Sequence, residues 1–127
     1  LIGHSDADVG IHAICDSIFG ALSMKDIGFY FSNKDPQWKN KNSRFFLNFA
    51  KKKLIENNFW IVNLDINFIC EKPNISKLSL LMKKNLSYLL NIPINIISIK
   101  ATTNEKISLI GNKEGIAAES IIQIVSV

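Results

Sequence analysis

The residues best suited to chemistry stand at the start of the chain: His4-Ser5-Asp6-Ala7-Asp8-Val9, followed by His12 and Asp16. The only two histidines of 127 residues both fall in this stretch. Ser5 or Asp6 can accept hydrogen bonds from the first unpaired N–H groups of a helix, which predicts a helix from Asp6 to Leu22. Val9, Ala13, Ile14, Ile18, Ala21 and Leu22 supply its apolar face at helical spacing. Asp8, His12 and Asp16 are four apart and make one polar stripe. His12 is therefore a candidate metal ligand, with Asp8 or Asp16 as co-ligand or as the group that orients it. The same spacing also describes a well-capped surface helix with a solvated stripe. His4 is placed before the helix, about two turns from His12 and too far to share one ion with it.

A second chemical stretch is Lys100-Ala101-Thr102-Thr103-Asn104-Glu105, where a strand is predicted to end. Sites in sheet-and-helix folds gather at strand ends and the loops after them. Two adjacent hydroxyls and a carboxylate there suit phosphate oxygens and a divalent cation, and oxygen-only ligation suits Mg²⁺. A turn followed by a capped helical turn has the same pattern.

The elements that must position these groups follow from periodicity. Residues 23–42 have no clean period and read as a long loop, the kind that is usually functional or mobile. Asn42 or Ser43 caps a helix from Arg44 to Asn57, with Phe45, Phe46, Phe49, Leu54 and Ile55 turned inward. Trp60 to Cys70 alternates, apolar at every even position and with Asn63, Asp65 and Asn67 among the odd ones, which predicts a half-buried strand. A helix from Ser76 to Asn91 carries Leu78, Leu81, Met82, Leu86, Leu89 and Leu90. Strands are expected at Asn95 to Ala101 and Ile116 to Val127, separated by a polar segment from Thr102 to Lys113. Helices mixed with strands in this order predict an α+β fold, one sheet covered on one face by helices.

Composition narrows the field. The chain has 127 residues and 14.3 kDa, enough for one domain, and 47% apolar content can build its core. No apolar run is long enough to span a membrane. The net charge of +4 does not point to nucleic acid, because Lys51-Lys52-Lys53 and Lys83-Lys84 sit on amphipathic helices as solvated faces. It does suit a phosphorylated substrate. Cys15 and Cys70 lack metal or redox spacing and read as buried thiols in a reducing compartment. The chain opens on an apolar residue directly before its first motif, as if an upstream strand preceded Leu1.

Taken together, five blocks resemble the 2-C-methyl-D-erythritol 2,4-cyclodiphosphate synthase family, an enzyme family of the non-mevalonate route to isoprenoid precursors. They are His4-Ser5-Asp6-x-Asp8-Val9-x-x-His12-Ala13, Asp26-Ile27-Gly28, Phe31 with Asp35-Pro36, Lys100-Ala101-Thr102-Thr103-x-Glu105 and Glu114-Gly115-Ile116-Ala117. The resemblance spans the whole chain in order. It implies a small α+β domain, residues 1–127, with a mixed sheet and helices on one face, assembled as a homotrimer with active sites between subunits. It implies a phosphorus–oxygen lyase whose substrate is a cytidine diphosphate compound, 4-diphosphocytidyl-2-C-methyl-D-erythritol 2-phosphate. The 2-phosphate would attack the β-phosphorus, close the cyclic diphosphate and expel CMP.

Residue roles follow from the same resemblance. His12 would be one zinc ligand, the other two being an Asp and a His of an Asp-x-His strand expected upstream of Leu1. His4 and Thr103 would be catalytic. His4 and Ser5 would contact phosphates, Asp26, Ile27 and Gly28 would hold the erythritol part, and the loop Phe31, Ser32, Asn33, Lys34 and Asp35 would close over it. Cys70, Glu71, Lys72, Pro73, Asn74, Ile75 and Ser76 would frame the cytosine. Thr102 and Thr103 would reach the CMP phosphates, with Asn104, Leu109 and Asn112 completing the substrate-binding set. Glu105 would bind Mg²⁺ or Mn²⁺. Asn33, Asn74 and Asn112 stand where the family usually has Asp, Lys and Arg, and the Arg has been linked to isoprenoid diphosphates on the trimer axis. The resemblance implies no nucleic-acid or membrane partner and a bacterial cytoplasm or plastid interior. The rival class is a non-catalytic trimeric protein of the same fold that binds metal and nucleotide.

Overall fold

The computed structural model describes residues 2–38, 41–70, 76–102 and 116–127, with side chains from residue 7 in the first helix and from residue 79 in the last. Helix α1 is Ile2–Ala21, followed by the four-residue α2, Ile27–Tyr30, and a 3₁₀ turn at Pro36–Trp38. Helix α3 is Ser43–Glu56, strand β1 is Phe59–Cys70, and helix α4 is Ser76–Leu90. A 3₁₀ turn at Ile94–Ile96 leads into β2, Ile97–Thr102, and β3 is Ile116–Ser126.

The three strands form one mixed sheet in the order β2-β1-β3. β1 runs parallel to β2, with Leu64 opposite Ile97 and Ile69 opposite Thr102. It runs antiparallel to β3, with Cys70 opposite Ile116 and Leu64 opposite Ile122. The parallel pair is joined through α4, as parallel strands require a crossover. Leu64, Ile66, Phe68 and Cys70 turn to the helices and are buried; Asp65, Asn67, Lys100, Thr102 and Glu119 lie on the opposite face. The expected mixed sheet, helix-covered on one face, is what forms.

Several local expectations change. α1 begins at Ile2, so Ser5 and Asp6 are internal rather than capping, and His4 is helical. Nothing in Ile2, Gly3 and His4 breaks the hydrogen-bond ladder, so the polar pair alone does not start the helix. The loop of residues 23–42 holds two short helical turns. In α3 the buried residues are Leu47, Ala50 and Leu54; Ile55 is 53% exposed and Phe45 lies at the surface. In β1 the register shifts between Ile61 and Asn63. The extra residue exchanges the two faces, so Ile61 is buried while Trp60 and Val62 are exposed. In α4 Met82, Leu86 and Leu90 are buried, but Leu81 is exposed.

The core joins Ile14, Ile18 and Phe19 of α1 with Leu47 of α3, Leu64, Ile66 and Phe68 of β1, and Leu86 of α4. Gly10 lets α1 lie close to the sheet, because a Cβ there would meet the Phe68 ring at 2.8 Å. Helix ends are closed by residues in the left-handed region: Ser23 after α1, Asn58 after α3 and Asn91 after α4. Among the described residues, no helix is long and apolar enough to cross a membrane.

Candidate functional site

His12 is exposed on the outer face of α1. It lines a cavity of about 460 Å³ together with Asp8, Ile27, Gly28, Phe31, Asn33, Trp38, Lys41, Ser43 and Phe46. Three stretches build this wall: the polar stripe of α1, the α2 turn, and the segment from Phe31 to the start of α3. His12 is thereby brought beside Ile27, Gly28, Phe31 and Asn33, all expected site residues.

The turn is held by capping and burial. Asp26 is the N-cap of α2, and its Oδ1 accepts from the Phe29 N–H at 3.0 Å. The Asp26 side chain is otherwise exposed, and its second oxygen has no partner among the described residues. Asp16 Oδ1 accepts from the Ile27 N–H at 3.0 Å. The Ile27 side chain is buried in the core.

The next wall is aromatic. The Phe31 ring lies 4.9 Å from Trp38, 5.1 Å from Phe46 and 4.8 Å from Phe49, all in edge-on geometry. Trp38 stacks on Phe45 at 5.6 Å. Lys41 Nζ sits 5.1 Å above the Phe45 ring. The intervening residues turn tightly: the Lys34 N–H donates to Ser32 Oγ, and the Asp35 carboxylate accepts from the Gln37 N–H and side-chain amide. Those two hydrogen bonds hold the Asp35 carboxyl below the usual carboxylate range.

The carboxylates flanking His12 have other tasks. Asp8 Oδ1 accepts from Ser43 Oγ at 2.8 Å, tying α1 to the start of α3. Asp16 is committed to Ile27. Among the described residues, no three His, Cys, Asp or Glu side chains come close enough to hold a metal ion. In that cavity His12 is the one imidazole and Asp8 the one carboxylate among the described residues. His4 shares its helix eight residues earlier, about 12 Å along the axis. The side chains of His4 and Ser5 lie outside the described residues.

Thr102 is elsewhere. It ends β2, is exposed on the uncovered sheet face, and accepts from Asn67 Nδ2 at 3.3 Å. It does not line the His12 cavity. Cys70 ends β1 on the helix-covered face and is buried. Ser76 opens α4. Glu71 to Ile75, and Thr103, Asn104, Glu105, Leu109 and Asn112, lie outside the described residues. Cys15, directly before Asp16, is buried, and burial pushes its thiol up from 9.0 to about 12, which leaves it inert.

Sequence reasoning missed Trp38, Lys41, Ser43 and Phe46 on the cavity wall. Their signal was present but weak: an aromatic beside the Asp35-Pro36 turn and a hydroxyl beside the α3 cap.

Residues 1–125 match the YgbB family. A 2-C-methyl-D-erythritol 2,4-cyclodiphosphate synthase from Cereibacter sphaeroides is 46% identical over 117 residues, which are 92% of this chain and 74% of that protein. The bifunctional IspDF structure from Campylobacter jejuni matches with a TM-score of 0.88 and 34% identity, over 94% of this chain and 32% of that one. The IspF structure of Plasmodium falciparum, a CDP complex, matches with a TM-score of 0.82 and 38% identity, over 93% of this chain and 70% of that one.

Proposed function

The chain belongs to the YgbB family, and from that premise we infer that it forms 2-C-methyl-D-erythritol 2,4-cyclodiphosphate from 4-diphosphocytidyl-2-C-methyl-D-erythritol 2-phosphate, releasing CMP in the non-mevalonate pathway. The observation that carries this reading is the shared cavity: His12 and Ile27, Gly28, Phe31 and Asn33, from separate sequence blocks, wall one space.

The reaction makes one O–P bond, from the 2-phosphate to the β-phosphorus, and breaks the bond from the β-phosphorus to the CMP oxygen. The attacking phosphate is already ionised near neutral pH, and the leaving group is a phosphate as well. No side chain has to remove a proton. The protein's task is to hold two anions together and in line. Asp26 offers its outward oxygen to the erythritol hydroxyls while its other oxygen holds the turn. Gly28 keeps the wall low, and Lys41 supplies positive charge at the cavity. The rings of Phe31, Trp38 and Phe46 give that wall an apolar surface.

We assign His12 as one zinc ligand, and Glu105 as the Mg²⁺ or Mn²⁺ ligand, on the family resemblance. A zinc ion held by His12 would supply positive charge against the phosphates. The described residues offer it one imidazole and no complete ligand set.

The homotrimer with sites between subunits is part of the same proposal. Three features support it. Thr102 lies on the uncovered sheet face, away from His12's cavity, so the phosphate-binding stretch and the His12 wall suit neighbouring subunits. That same face exposes Trp60, Val62, Ile121 and Val125, an apolar surface that a second copy would cover. Asp65 Oδ1 and Asn67 Oδ1 are shielded there with no partner among the described residues. The bacterial source of the Cereibacter relative fits a bacterial cytoplasm.

The test is direct. The intact protein, given the substrate and divalent cations, is expected to release CMP and show the cyclic diphosphate by phosphorus NMR. Absence of CMP release from folded, metal-loaded protein overturns the reading.

A further inference from the structure

Asp16 stands four residues after His12 on the same face of α1, and its hydrogen bond goes elsewhere. Its Oδ1 takes the N–H of Ile27, the first residue of α2. The first N–H groups of a helix have no acceptor within it. α2 has four residues and two of its early N–H groups go to carboxylates: Phe29 to Asp26 locally, Ile27 to Asp16 across the fold. The local bond shapes the turn, whereas the long-range one ties its backbone directly to the helix that carries His12. Beyond Asp16, the turn is held by the buried Ile27 side chain and by Tyr30, whose ring packs on Phe19 and Phe49. These grip the turn through its side chains, while Asp16 grips its backbone.

We propose that Asp16 is a positioning residue that latches the Asp26-Ile27-Gly28 turn to the helix carrying His12, setting the width of the substrate cavity. On the functional reading above, the latch keeps Asp26 and Gly28 ready for the erythritol part of the substrate before it arrives. A hydrogen bond to a carboxylate shifts a local equilibrium about tenfold or more, and the apparent affinity is scaled by the fraction of molecules that stays latched. Substrate binding restores the latched form, so the loss appears in KM rather than in kcat.

The experiment compares Asp16→Ala and Asp16→Asn in the intact protein. Asparagine keeps an acceptor for the Ile27 N–H without the negative charge. Asp16→Ala is expected to raise KM by up to about tenfold, the ceiling set by the shift in the latch, with kcat within about twofold, and Asp16→Asn to recover most of the loss. Zinc content measured by metal analysis stays unchanged in both. Hydrogen exchange at the Ile27 amide, which needs no substrate, should quicken about tenfold in Asp16→Ala and stay slow in Asp16→Asn. If the wild type proves inactive on this substrate, exchange still tests the latch, so the two readings fail separately. Unchanged exchange in Asp16→Ala overturns the proposal. Loss of zinc in either variant, or an equal KM rise in both, overturns it as well by assigning Asp16 to the metal or to its charge.

Discussion

Replacing Gly10 by alanine tests how closely α1 is seated on the sheet. Alanine in a helix interior is favoured over glycine by about 1 kcal/mol. At Gly10 that gain is opposed. A Cβ would lie 2.8 Å from Phe68 Cζ, 3.3 Å from Phe68 Cε1 and 3.6 Å from the Met82 methyl. Carbon atoms prefer about 3.5–4.0 Å, and Phe68 is fully buried among core side chains, so its ring must shift against them to make room. Overpacking of this kind costs about 1–3 kcal/mol. The net expectation is a loss of up to about 2 kcal/mol where propensity alone gives a gain. Gly20 is the internal control: it lies in the same helix, and its Cβ would meet nothing within 4 Å. Gly20→Ala should stabilise by up to about 1 kcal/mol. Urea denaturation of both variants reads the difference. Phe68→Leu removes the ring atoms that clash, so Gly10→Ala should cost less in that background, with a coupling of about 1 kcal/mol or more. Because His12 follows two residues after Gly10, the single variant should also weaken substrate turnover. The reasoning fails if Gly10→Ala stabilises as much as Gly20→Ala, or if Phe68→Leu leaves its cost unchanged.

Further outcomes follow from the same geometry. If each site takes His12 from one subunit and Glu105 from the next, His12→Ala and Glu105→Ala are each inactive alone; refolded together in equal amounts they should recover about a quarter of wild-type activity, since about three-quarters of trimers are mixed and each regains one site in three. Mixed trimers with no recovery refute the shared site. The Cys15 thiol, raised from 9.0 to about 12 by burial and then by the Asp16 charge, stays protonated in the folded state while the unfolded chain ionises above about pH 9. Stability should therefore fall between pH 9 and 12, more steeply than in Cys15→Ala, as followed by denaturation at successive pH values. Ser23 is held at φ 58°, so Ser23→Gly should raise stability by about 0.5–1 kcal/mol in thermal unfolding. The same change at Asn58 or Asn91 should gain less, because asparagine tolerates that region better.

Much of this protein was legible in the order of its residues. The apolar spacing after Val9 marks α1, and alternation from Leu64 to Cys70 marks both the strand and its buried face. These are local signals, since helix and strand periods show within a few turns of chain. The five motif blocks identify the family because their order and spacing survive without any structure. The polar stripe of α1 was legible too, but not its use. His12, Asp8 and Asp16 look alike in spacing, yet His12 and Asp8 line the cavity, Asp8 also bonds Ser43, and Asp16 bonds Ile27.

Those assignments depend on what the chain brings alongside, which periodicity does not encode. The bulge at Val62 is the clearest case. One added residue reverses the faces of the strand's first part, so Trp60 and Val62 leave the core although the even-numbered pattern runs through them. The separation of Thr102 from His12 is another. It arises because β2 and β3 flank β1 on opposite sides, with Thr102 turned to the uncovered face. Local sequence determined the elements and the kinds of chemistry available. Only the packing of α1 against the sheet and the α2 turn decided which side chains share a cavity, because that choice rests on contacts between residues far apart in the chain.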